Sequence, residues 1–294
     1  LAIFVKYEFW YHYLNVLHQQ KIPTIIISAA FRKEQVFYKW YGGLFRKMLH
    51  YFTTIFVQDE ASKKLLESIG VNGNIIVAGD TRYDRVSTIA SNVKRLPLIE
   101  SFLQNNPTLI AGSSWQEDEK IILQSFTALP NNWKLIIAPH EISKERIREI
   151  QKLFPDALLY SELSTEKNYS NKRTLIIDNI GMLSSLYAYG KTAFVGGGFQ
   201  KGGIHNALEP AAFGLPVVFG PVYKKFVEAS LLVSKELCFS ISNADEYKKI
   251  LIKFFTDEDY YQSIHQLLLQ FMKEHSGATD TILSYIQINK WIII

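Results

Sequence analysis

The sequence predicts an α/β protein with two doubly wound domains, in which each parallel sheet is covered by helices on both faces. Short apolar runs alternate with helical stretches along the whole chain, which is the pattern of repeated strand–helix–strand units. Runs such as 24–27 (TIII) and 217–219 (VVF) are almost wholly apolar, as expected of strands buried on both faces. The 294 residues, 48% of them hydrophobic, are enough for two cores.

The first domain is predicted to contain four strands with helices between them. The strands are expected at 3–5, 24–27, 55–57 and 75–77, and the helices at 10–19, 38–52 and 62–69. The chain opens directly in a predicted strand and does not begin with Met. We therefore expect the first domain to be incomplete.

The second domain is predicted to follow a polar stretch over 82–106, and we place the connection near Leu96. Its strands are expected at 108–111, 134–137, 158–160, 175–177, 193–195, 217–219 and 237–240, and 244–294 is helical by pattern. The predicted division is residues 1–95, residues 96–276, and a C-terminal helix over 277–294 that crosses back to the first domain.

Composition narrows the possible partners. The net charge is only +4 and no block of Lys or Arg occurs, so we expect no nucleic acid partner. The single Cys238 lies in an apolar run, which predicts a buried packing residue and excludes an intrachain disulfide. No run reaches the ~20 apolar residues of a membrane span, and no signal peptide is visible. Because the seven His are scattered, we expect no bound metal. We also expect no cofactor.

The most informative segment lies between the last two apolar runs of the second sheet. Five glycines occur between Gly196 and Gly203, and a short helix is predicted over 206–213. Glycines at a strand-to-helix turn let backbone N–H groups approach an anion, and a helix N-terminus favours negative charge. We expect a phosphate there, with Glu209, about one turn into the helix, accepting hydrogen bonds from sugar hydroxyls. The alternative is a tight turn followed by a solvated Glu209.

Two other strands of this domain end in polar residues. Gly112, Ser113 and Ser114 follow one strand, and Pro139 and His140 follow the next. Carboxyl ends of parallel strands share one edge, so these residues are expected to face a cleft between the domains. Alternatively, the serines cap a helix in a capping box with Glu117, which is compatible with ligand binding, and His140 is structural.

Several motifs resemble one enzyme family. In chain order they are Tyr7–Trp10 (YEFW), 40–46 (WYGGLFR), 57–60 (VQDE), 79–84 (GDTRYD), 112–115 (GSSW), 138–140 (APH), 178–181 (DNIG) and 202–210 (GGIHNALEP). Together they are similar to the 3-deoxy-D-manno-octulosonic acid (Kdo) transferases, which are GT-B glycosyltransferases of lipopolysaccharide synthesis. The resemblance covers nearly the whole chain.

The resemblance implies a GT-B fold of two Rossmann-like domains, a CMP-Kdo donor and a lipid A precursor as acceptor. It implies inverting, metal-independent transfer at the cytoplasmic face of the bacterial inner membrane. The implied donor-binding residues are Gly112, Ser113, Ser114, Pro139, His140, Gly181, Gly197, Gly198, Gly202, Gly203, His205, Asn206 and Glu209.

The resemblance also implies what the first domain does. It places the catalytic base, a carboxylate in a Gly-Glu motif, and a membrane-associated segment upstream of Leu1. Glu8 is the local candidate for the base, with acceptor binding as its alternative role, and Arg32 is the second acceptor-binding candidate. The basic stretch with its aromatics is expected to meet lipid phosphates and a membrane surface, unless the aromatics are core; it comprises Arg32, Lys33, Lys39, Arg46, Lys47, Phe31, Phe37, Tyr38 and Trp40.

The chain departs from the family pattern at four places. Pro139 stands where an Arg usually precedes the His, and Met182 replaces the Glu after Asp-x-x-Gly. Residues 10–12 (WYH) replace Trp-Pro-Asn, and 28–30 (SAA) replace Asn-Ala-Arg. A divergent branch of the family is the resulting expectation.

Two other functions are compatible with this sequence. Nucleotide-sugar 2-epimerases use the same architecture with UDP-linked substrates, and a non-catalytic nucleotide-sugar-binding module is the third possibility. Preference for CMP over UDP separates the transferase from the epimerase.

Overall fold

The computed structural model describes residues 1–292 and shows an α/β chain with two separate parallel sheets. Tertiary contacts divide the chain into two units: residues 1–85 with the residues from Lys273 onward, and Val86–Met272. The unit boundaries thus fall after Arg85 and after Met272. The sequence predicted domain boundaries after residues 95 and 276. Ile293 and Ile294, the end of the predicted C-terminal helix, lie outside the described residues.

The first unit has a four-stranded parallel sheet in the order β1-β2-β3-β4. Each strand falls where the sequence predicts one, since these apolar runs are too short for helices and alternate with helical stretches. Their bounds are β1 Ala2–Val5, β2 Thr24–Ala29, β3 Thr54–Val57 and β4 Ile75–Val77. The intervening helices are α1 Tyr11–Gln19, α2 Gly43–Leu49 and α3 Glu60–Glu67.

The predicted helix over 38–52 is wrong in its first part. A 3₁₀ turn at Val36–Tyr38 and a loop precede α2, which begins only at Gly43. The side chain of Arg46 donates to the carbonyls of Phe37 and Lys39, both at 2.9 Å, and thereby holds this loop against the helix. A Cβ at Gly42 would lie 2.1 Å from the carbonyl oxygen of Val36, so the turn requires glycine there.

Helices cover the first sheet on both faces. Leu14 of α1 packs with Phe37 and Leu49 in one buried cluster. On the other face, Ile25 and Phe56 pack against the C-terminal helix, Ala278–Ile288. Residues far apart in the chain therefore complete the first unit.

The second unit has a seven-stranded parallel sheet in the order β11-β10-β9-β5-β6-β8-β7. All seven predicted strands are confirmed within a few residues, as β5 Thr108–Ser114, β6 Lys134–Pro139, β7 Leu158–Leu159, β8 Thr174–Ile176, β9 Thr192–Val195, β10 Val217–Phe219 and β11 Cys238–Ser240. Strand order reverses between the neighbours β5 and β9, which is where doubly wound sheets bind ligands.

The remaining helices lie before, between and after these strands, and α4 and α12 each run across a boundary between the units. Two of them, α4 Thr81–Ser91 and α5 Pro97–Leu103, precede β5. Those that follow are α6 Gln116–Phe126, α7 Lys144–Leu153, α8 Leu183–Leu186, α9 Leu208–Ala212, α10 Val227–Ser234, α11 Ala244–Thr256 and α12 Glu258–His275. The predicted helix over 206–213 is shorter than expected, and Glu209 lies in its first turn instead of one turn inside it.

The sequence predicted that Cys238 is buried and that the chain has no membrane span. Cys238 is buried at the start of β11, and this burial raises the pKa of its thiol well above the ordinary range. Within residues 1–292, no helix combines the length and apolar character that crossing a membrane requires.

Candidate ligand site at the strand ends of the second unit

Backbone hydrogen bonds bring three predicted segments together where strand order reverses. Gly196 N–H donates to the carbonyl of Gly112 at 2.9 Å, which joins the end of β9 to the end of β5. His140 N–H donates to Ser114 O and His205 N–H donates to Gly196 O, each at 3.1 Å. Predicted site residues from β5, β6 and the glycine segment thus lie side by side.

The glycines of the segment 196–203 are needed first for its own packing. Gly197 and Gly203 have φ of +89° and +75°, the left-handed region that favours glycine. A Cβ at Gly203 would lie 2.6 Å from the carbonyl oxygen of Val222, and one at Gly198 would lie 2.4 Å from the amide nitrogen of Gly220. Gly202 differs, because it is exposed and a Cβ added to it would have no atom within 4 Å. The tight-turn explanation therefore holds for most of these glycines.

Asp118, which the sequence reasoning missed, ties the glycine segment to the end of β5. Its Oδ2 accepts from the backbone N–H groups of Gly197 and Trp115, both at 2.9 Å. The side chain is 1% exposed, and Oδ1 has no hydrogen-bond partner within residues 1–292. Burial raises the pKa of this carboxyl to about 6. Its position three residues after Trp115, at the start of a predicted helix, was the feature of the sequence that could have indicated Asp118 as a capping residue.

The predicted capping box of Ser113, Ser114 and Glu117 is wrong. Strand β5 continues through both serines, so α6 begins only after Trp115, and Asp118 supplies the capping carboxylate. The reason is that Ser114 turns inward: it is 1% exposed, and its hydroxyl donates to Glu119 at 2.9 Å.

The inward-facing Ser114 belongs to a buried polar group behind the strand end. The other carboxylate oxygen of Glu119 pairs with Arg146 at 2.5 Å. Burial raises the pKa of Glu119, against the opposing effect of Arg146. Ser113, in contrast, is half-buried with φ of +52°, a conformation that non-glycine residues adopt rarely and often at functional sites. Of the two predicted serines, only Ser113 leaves its hydroxyl without a described partner.

Three aromatic side chains form one group at these strand ends. The indole N–H of Trp115 donates to Nε2 of His205 at 3.1 Å. The ring of His140 stacks on both partners, at centroid distances of 4.7 Å from Trp115 and 4.4 Å from His205 and with interplanar angles of 28° and 25°. His140 is exposed, whereas Trp115 and His205 are half-buried, so the ring of His140 lies on the solvent side of the hydrogen-bonded Trp115 and His205. The sequence indicated His140 and His205 as site residues and Trp115 only as part of the motif at 112–115, and it did not indicate their contact.

Glu209 is half-buried and held by two neighbours. Its Oε2 accepts from the hydroxyl of Ser184 at 2.9 Å, and its Oε1 accepts from the side-chain amide of Asn206 at 3.0 Å. The amide oxygen of Asn206 accepts from the N–H of Leu208 at 3.0 Å, which fixes the start of α9. Each carboxylate oxygen retains acceptor capacity, since a carboxylate offers about four lone-pair sites. A fixed carboxylate of this kind suits a pair of hydroxyls.

The remaining donor-site candidates sit at their strand ends with fewer contacts. Gly112 is buried, and a Cβ there would lie 2.1 Å from the hydroxyl oxygen of Tyr187, so the packing of this strand end requires glycine. Pro139 ends β6 and is half-buried. Gly181 has φ of +94° and is exposed, in a loop where Asp178 accepts from the N–H and hydroxyl of Ser161.

The first-unit candidates, Glu8 and Arg32, are both exposed and lie outside the group described above. Glu8 accepts a hydrogen bond from the indole of Trp10, and the backbone N–H of Arg32 donates to Gln35 at 3.0 Å. Of the aromatics expected to lie along lipid chains, Phe31 and Phe37 are instead buried core residues. Trp40, at 92% exposed, is the accessible one. Tyr38, the fourth of these aromatics, is half-buried and packs against the same core.

A second missed group lies at the strand ends of the first sheet. Asp80 is 4% exposed and accepts from Gln58 at 3.1 Å, from Lys6 at 3.3 Å and from Arg82 at 2.8 Å. Burial acts to raise the pKa of Asp80, but the hydrogen bonds and charges of Arg82 and Lys6 hold it below its ordinary value. The motif at 79–84 contained this residue without indicating its partners.

One acidic triplet and one cavity lie away from the candidate residues described above. Within residues 1–292, no three His, Cys, Asp or Glu side chains are grouped so that they could hold a metal ion. In the acidic triplet 257–259, Asp257 directly precedes α12 and accepts from the N–H of Tyr260, and Glu258, the first residue of α12, pairs with Lys191 at 2.7 Å. A cavity of about 450 Å³ contains none of the predicted site residues; it opens near Phe154 and Arg173, at the amino end of β8.

Comparison with known proteins shows one recurring family. Residues 1–85 match the family model described as 3-deoxy-D-manno-octulosonic-acid transferase (kdotransferase). The 3-deoxy-D-manno-octulosonic acid transferase of Haemophilus influenzae is 26% identical over 98% of this chain and 69% of its own length. The bifunctional glycosyltransferase/methyltransferase of Fusobacterium nucleatum is 25% identical over 85% of this chain. The match covers 40% of that relative, and 65% of the Chlamydia trachomatis serovar D transferase, so this chain spans only part of several relatives.

Solved structures support the fold alone. The C-terminal CMP-Kdo binding domain of WaaA from Acinetobacter baumannii superimposes with a TM-score of 0.52 at 18% identity, covering 64% of this chain and 98% of that domain. The UDP-GlcNAc 2-epimerase of Neisseria meningitidis superimposes with a TM-score of 0.62 at 19% identity, covering 93% of this chain and 72% of the epimerase. The predicted GT-B class, two parallel-sheet α/β units, is confirmed by these likenesses.

Proposed function

The chain is a relative of the Kdo transferases, and from this relationship we propose that it carries the donor site and part of the acceptor domain of a glycosyltransferase. The proposed reaction moves Kdo from CMP-Kdo to a lipid A precursor, with inversion and without a metal or cofactor. It takes place at the cytoplasmic face of the bacterial inner membrane, as a step of lipopolysaccharide synthesis. Acceptor, stereochemistry, metal independence and location rest on the resemblance.

The observation that carries the donor assignment is the placement of Glu209 beside the glycine segment where strand order reverses. Its two oxygens are held by Ser184 and Asn206, so the carboxylate is oriented before a ligand arrives. We propose that it accepts hydrogen bonds from the two ribose hydroxyls of CMP. Charge-assisted hydrogen bonds of this kind are worth about 1.5–3 kcal/mol each.

The anionic part of the donor is proposed to lie at the glycine segment and the end of β5. Backbone N–H groups that approach an anion closely need residues without bulky side chains, and exposed Gly202 meets that requirement most clearly. Ser113 lies at the same edge, and within residues 1–292 its hydroxyl has no described hydrogen-bond partner. The proposed donor-binding set is Gly112, Ser113, Ser114, Pro139, His140, Gly181, Gly197, Gly198, Gly202, Gly203, His205, Asn206 and Glu209, of which Ser114 contributes backbone only because its hydroxyl is held by Glu119.

The acceptor side is proposed from the first unit. The resemblance puts the catalytic base in a Gly-Glu motif upstream of Leu1, and we assign acceptor contacts to Glu8 and Arg32. Both side chains are exposed, so both are accessible to a second substrate. An attacking hydroxyl needs a base within hydrogen-bond reach, and Glu8 is the local alternative for that role.

Nucleotide preference tests the proposal against an epimerase. Titrating the chain with CMP and with UDP, followed by calorimetry, should show selective binding of CMP. Selective binding of UDP would favour the nucleotide-sugar 2-epimerase class, which shares the fold. An assay of the upstream-extended protein with CMP-Kdo and a lipid A precursor then separates a transferase from a non-catalytic binding module, because only the transferase releases CMP with formation of a Kdo-containing lipid.

A further inference from the structure

The hydrogen bond between Trp115 and His205 has only one consistent arrangement of protons. An indole N–H is a donor and offers no acceptor, so Nε2 of His205, 3.1 Å away, must accept and carries no proton. In a neutral imidazole the proton then resides on Nδ1. We propose that Trp115 is a positioning residue, which holds His205 as the neutral Nδ1–H tautomer and so leaves it one N–H donor for a ligand.

The surroundings of His205 favour the neutral form as well. Its ring is half-buried, and the ring of His140 stacks on it at 4.4 Å. Burial and the neighbouring His140 both lower the pKa of His205. Gly197 also lies close to the ring of His205, and its N–H donates to Oδ2 of Asp118. Protonating His205 would break the hydrogen bond from Trp115, because both groups would then be donors.

The ligand chemistry follows from the donor that remains. Within residues 1–292, Nδ1 of His205 makes no hydrogen bond, while the backbone of the same residue is fixed to Gly196. A neutral N–H donor beside a glycine segment suits an anionic oxygen, such as that of a nucleoside monophosphate. This assignment of the ligand rests on the proposed function. The tautomer does not, because it depends only on the contact between Trp115 and His205.

Nitrogen-15 NMR of the ligand-free protein at pH 7 tests the tautomer directly. Substitution His205→Gln identifies the signals of His205 among the seven His, and the shifts of Nδ1 and Nε2 then report which nitrogen is protonated. We expect a protonated Nδ1 and an unprotonated Nε2 in the natural chain. A protonated Nε2, or an imidazolium with both nitrogens protonated, would overturn the proposal whatever the protein binds.

The role of Trp115 is tested by Trp115→Phe, which keeps a stacking ring and removes the N–H. We expect His205 to move toward the Nε2–H tautomer and its pKa to rise, since a hydrogen bond to the neutral form is lost. Trp40→Phe is the matched control, because it removes an indole that is 92% exposed in the first unit. An unchanged tautomer in folded Trp115→Phe would contradict the positioning role. If that variant does not fold, the tautomer of His205 in the natural chain still tests the proposal.

Binding of CMP, followed by calorimetry, tests the ligand. Trp115→Phe should weaken CMP binding by about threefold to tenfold, and Trp40→Phe should leave it unchanged. A natural chain that shows the Nδ1–H tautomer but binds no CMP would contradict the proposed function and leave the positioning role standing. Equal CMP affinity of the natural chain and of Trp115→Phe, with the tautomer changed, would overturn the ligand assignment of His205.

Discussion

At the scale of single residues, the proposed donor site contains side chains whose hydrogen-bond partners are already fixed. Glu209 receives one hydrogen bond from Ser184 and one from Asn206, and Asp118 receives two from backbone N–H groups. The two carboxylates differ in burial: Glu209 is half-buried and Asp118 is 1% exposed. We therefore expect Glu209 to act on a ligand and Asp118 to act on the protein itself.

Substitution Glu209→Gln should weaken CMP binding by about tenfold, which corresponds to about 1.4 kcal/mol. The amide keeps one acceptor oxygen and the size of the side chain but loses the charge that strengthens hydrogen bonds to ribose hydroxyls. Isothermal titration with CMP measures the effect. Glu117→Gln, on the exposed face of α6, is the control and should bind CMP normally. Normal CMP affinity of Glu209→Gln would defeat the assignment.

Asp118→Asn should remove a pH dependence of stability. The pKa of Asp118 is raised to about 6 from 3.8, so the folded protein binds the extra proton and is stabilised at low pH. That stabilisation is lost as the pH rises through 6. Between pH 4.5 and 7 the natural chain should therefore lose about 2 kcal/mol of unfolding free energy relative to Asp118→Asn. Urea unfolding at both values measures the difference, and parallel pH profiles would show that Asp118 titrates normally.

At the scale of elements, the glycine segment is shaped by close packing between loops. Gly198 packs on Gly220 and Gly203 packs on Val222, so two loops after β9 and β10 meet through backbone atoms. Gly202 stands apart from this packing. The segment therefore contains both positions that require glycine for the fold and one that leaves space beside the backbone.

Gly203→Val and Gly202→Ala should consequently behave differently. A Cβ at Gly203 meets the carbonyl of Val222 at 2.6 Å with φ of +75°, which costs about 1–2 kcal/mol or more. We expect a lower melting temperature and loss of CMP binding. Gly202→Ala should melt normally, because no atom lies within 4 Å of the added Cβ. Thermal unfolding with and without CMP measures both variants, and a Gly203→Val protein that melts and binds CMP normally would refute the packing argument.

The loop before α2, together with α2 itself, offers an exposed basic and aromatic surface in the first unit. Arg46 is occupied by the carbonyls of Phe37 and Lys39, whereas Lys33, Lys39, Lys47 and Trp40 are exposed. Reversing these three lysines to Glu should lower binding to anionic vesicles at low salt by at least tenfold, at about 1 kcal/mol per charge near the surface. Vesicle sedimentation measures it, with Lys144, Arg148 and Lys152 of α7 reversed as the control of equal charge. Equal vesicle binding by both triple variants would remove the membrane role of this loop.

At the scale of the whole molecule, the chain is proposed to bind the donor without completing the reaction. Residues 1–294 should bind CMP but transfer Kdo at least about 10²-fold more slowly than the upstream-extended protein, because general-base catalysis is worth about 10²–10⁴-fold. Parallel assays with CMP-Kdo and a lipid A precursor measure the two rates. Transfer at equal rates would contradict this prediction and make Glu8 the leading base, and Glu8→Gln would then abolish it.

The sequence by itself determined the strands and the chemistry of the candidate residues. Short apolar runs such as 24–27 and 217–219 indicate where buried parallel strands lie, because runs of this length and composition are typical of strands covered on both faces. The motif at 202–210 likewise indicated Glu209 and His205. Both conclusions depend on residues that are neighbours in the chain.

Only the tertiary structure decided which of these residues form hydrogen bonds with one another. The bonds from Gly197 to Asp118 and from Trp115 to His205 join positions 79 and 90 residues apart, and Ser114 is turned away from the strand end by buried Glu119. The helix expected over 38–52 became a loop in its first part because Arg46 satisfies two carbonyls that a helix would otherwise pair. Local pattern predicts elements because propensity and burial act over a few residues, whereas hydrogen bonds between strand ends arise only once the sheet has brought those ends together.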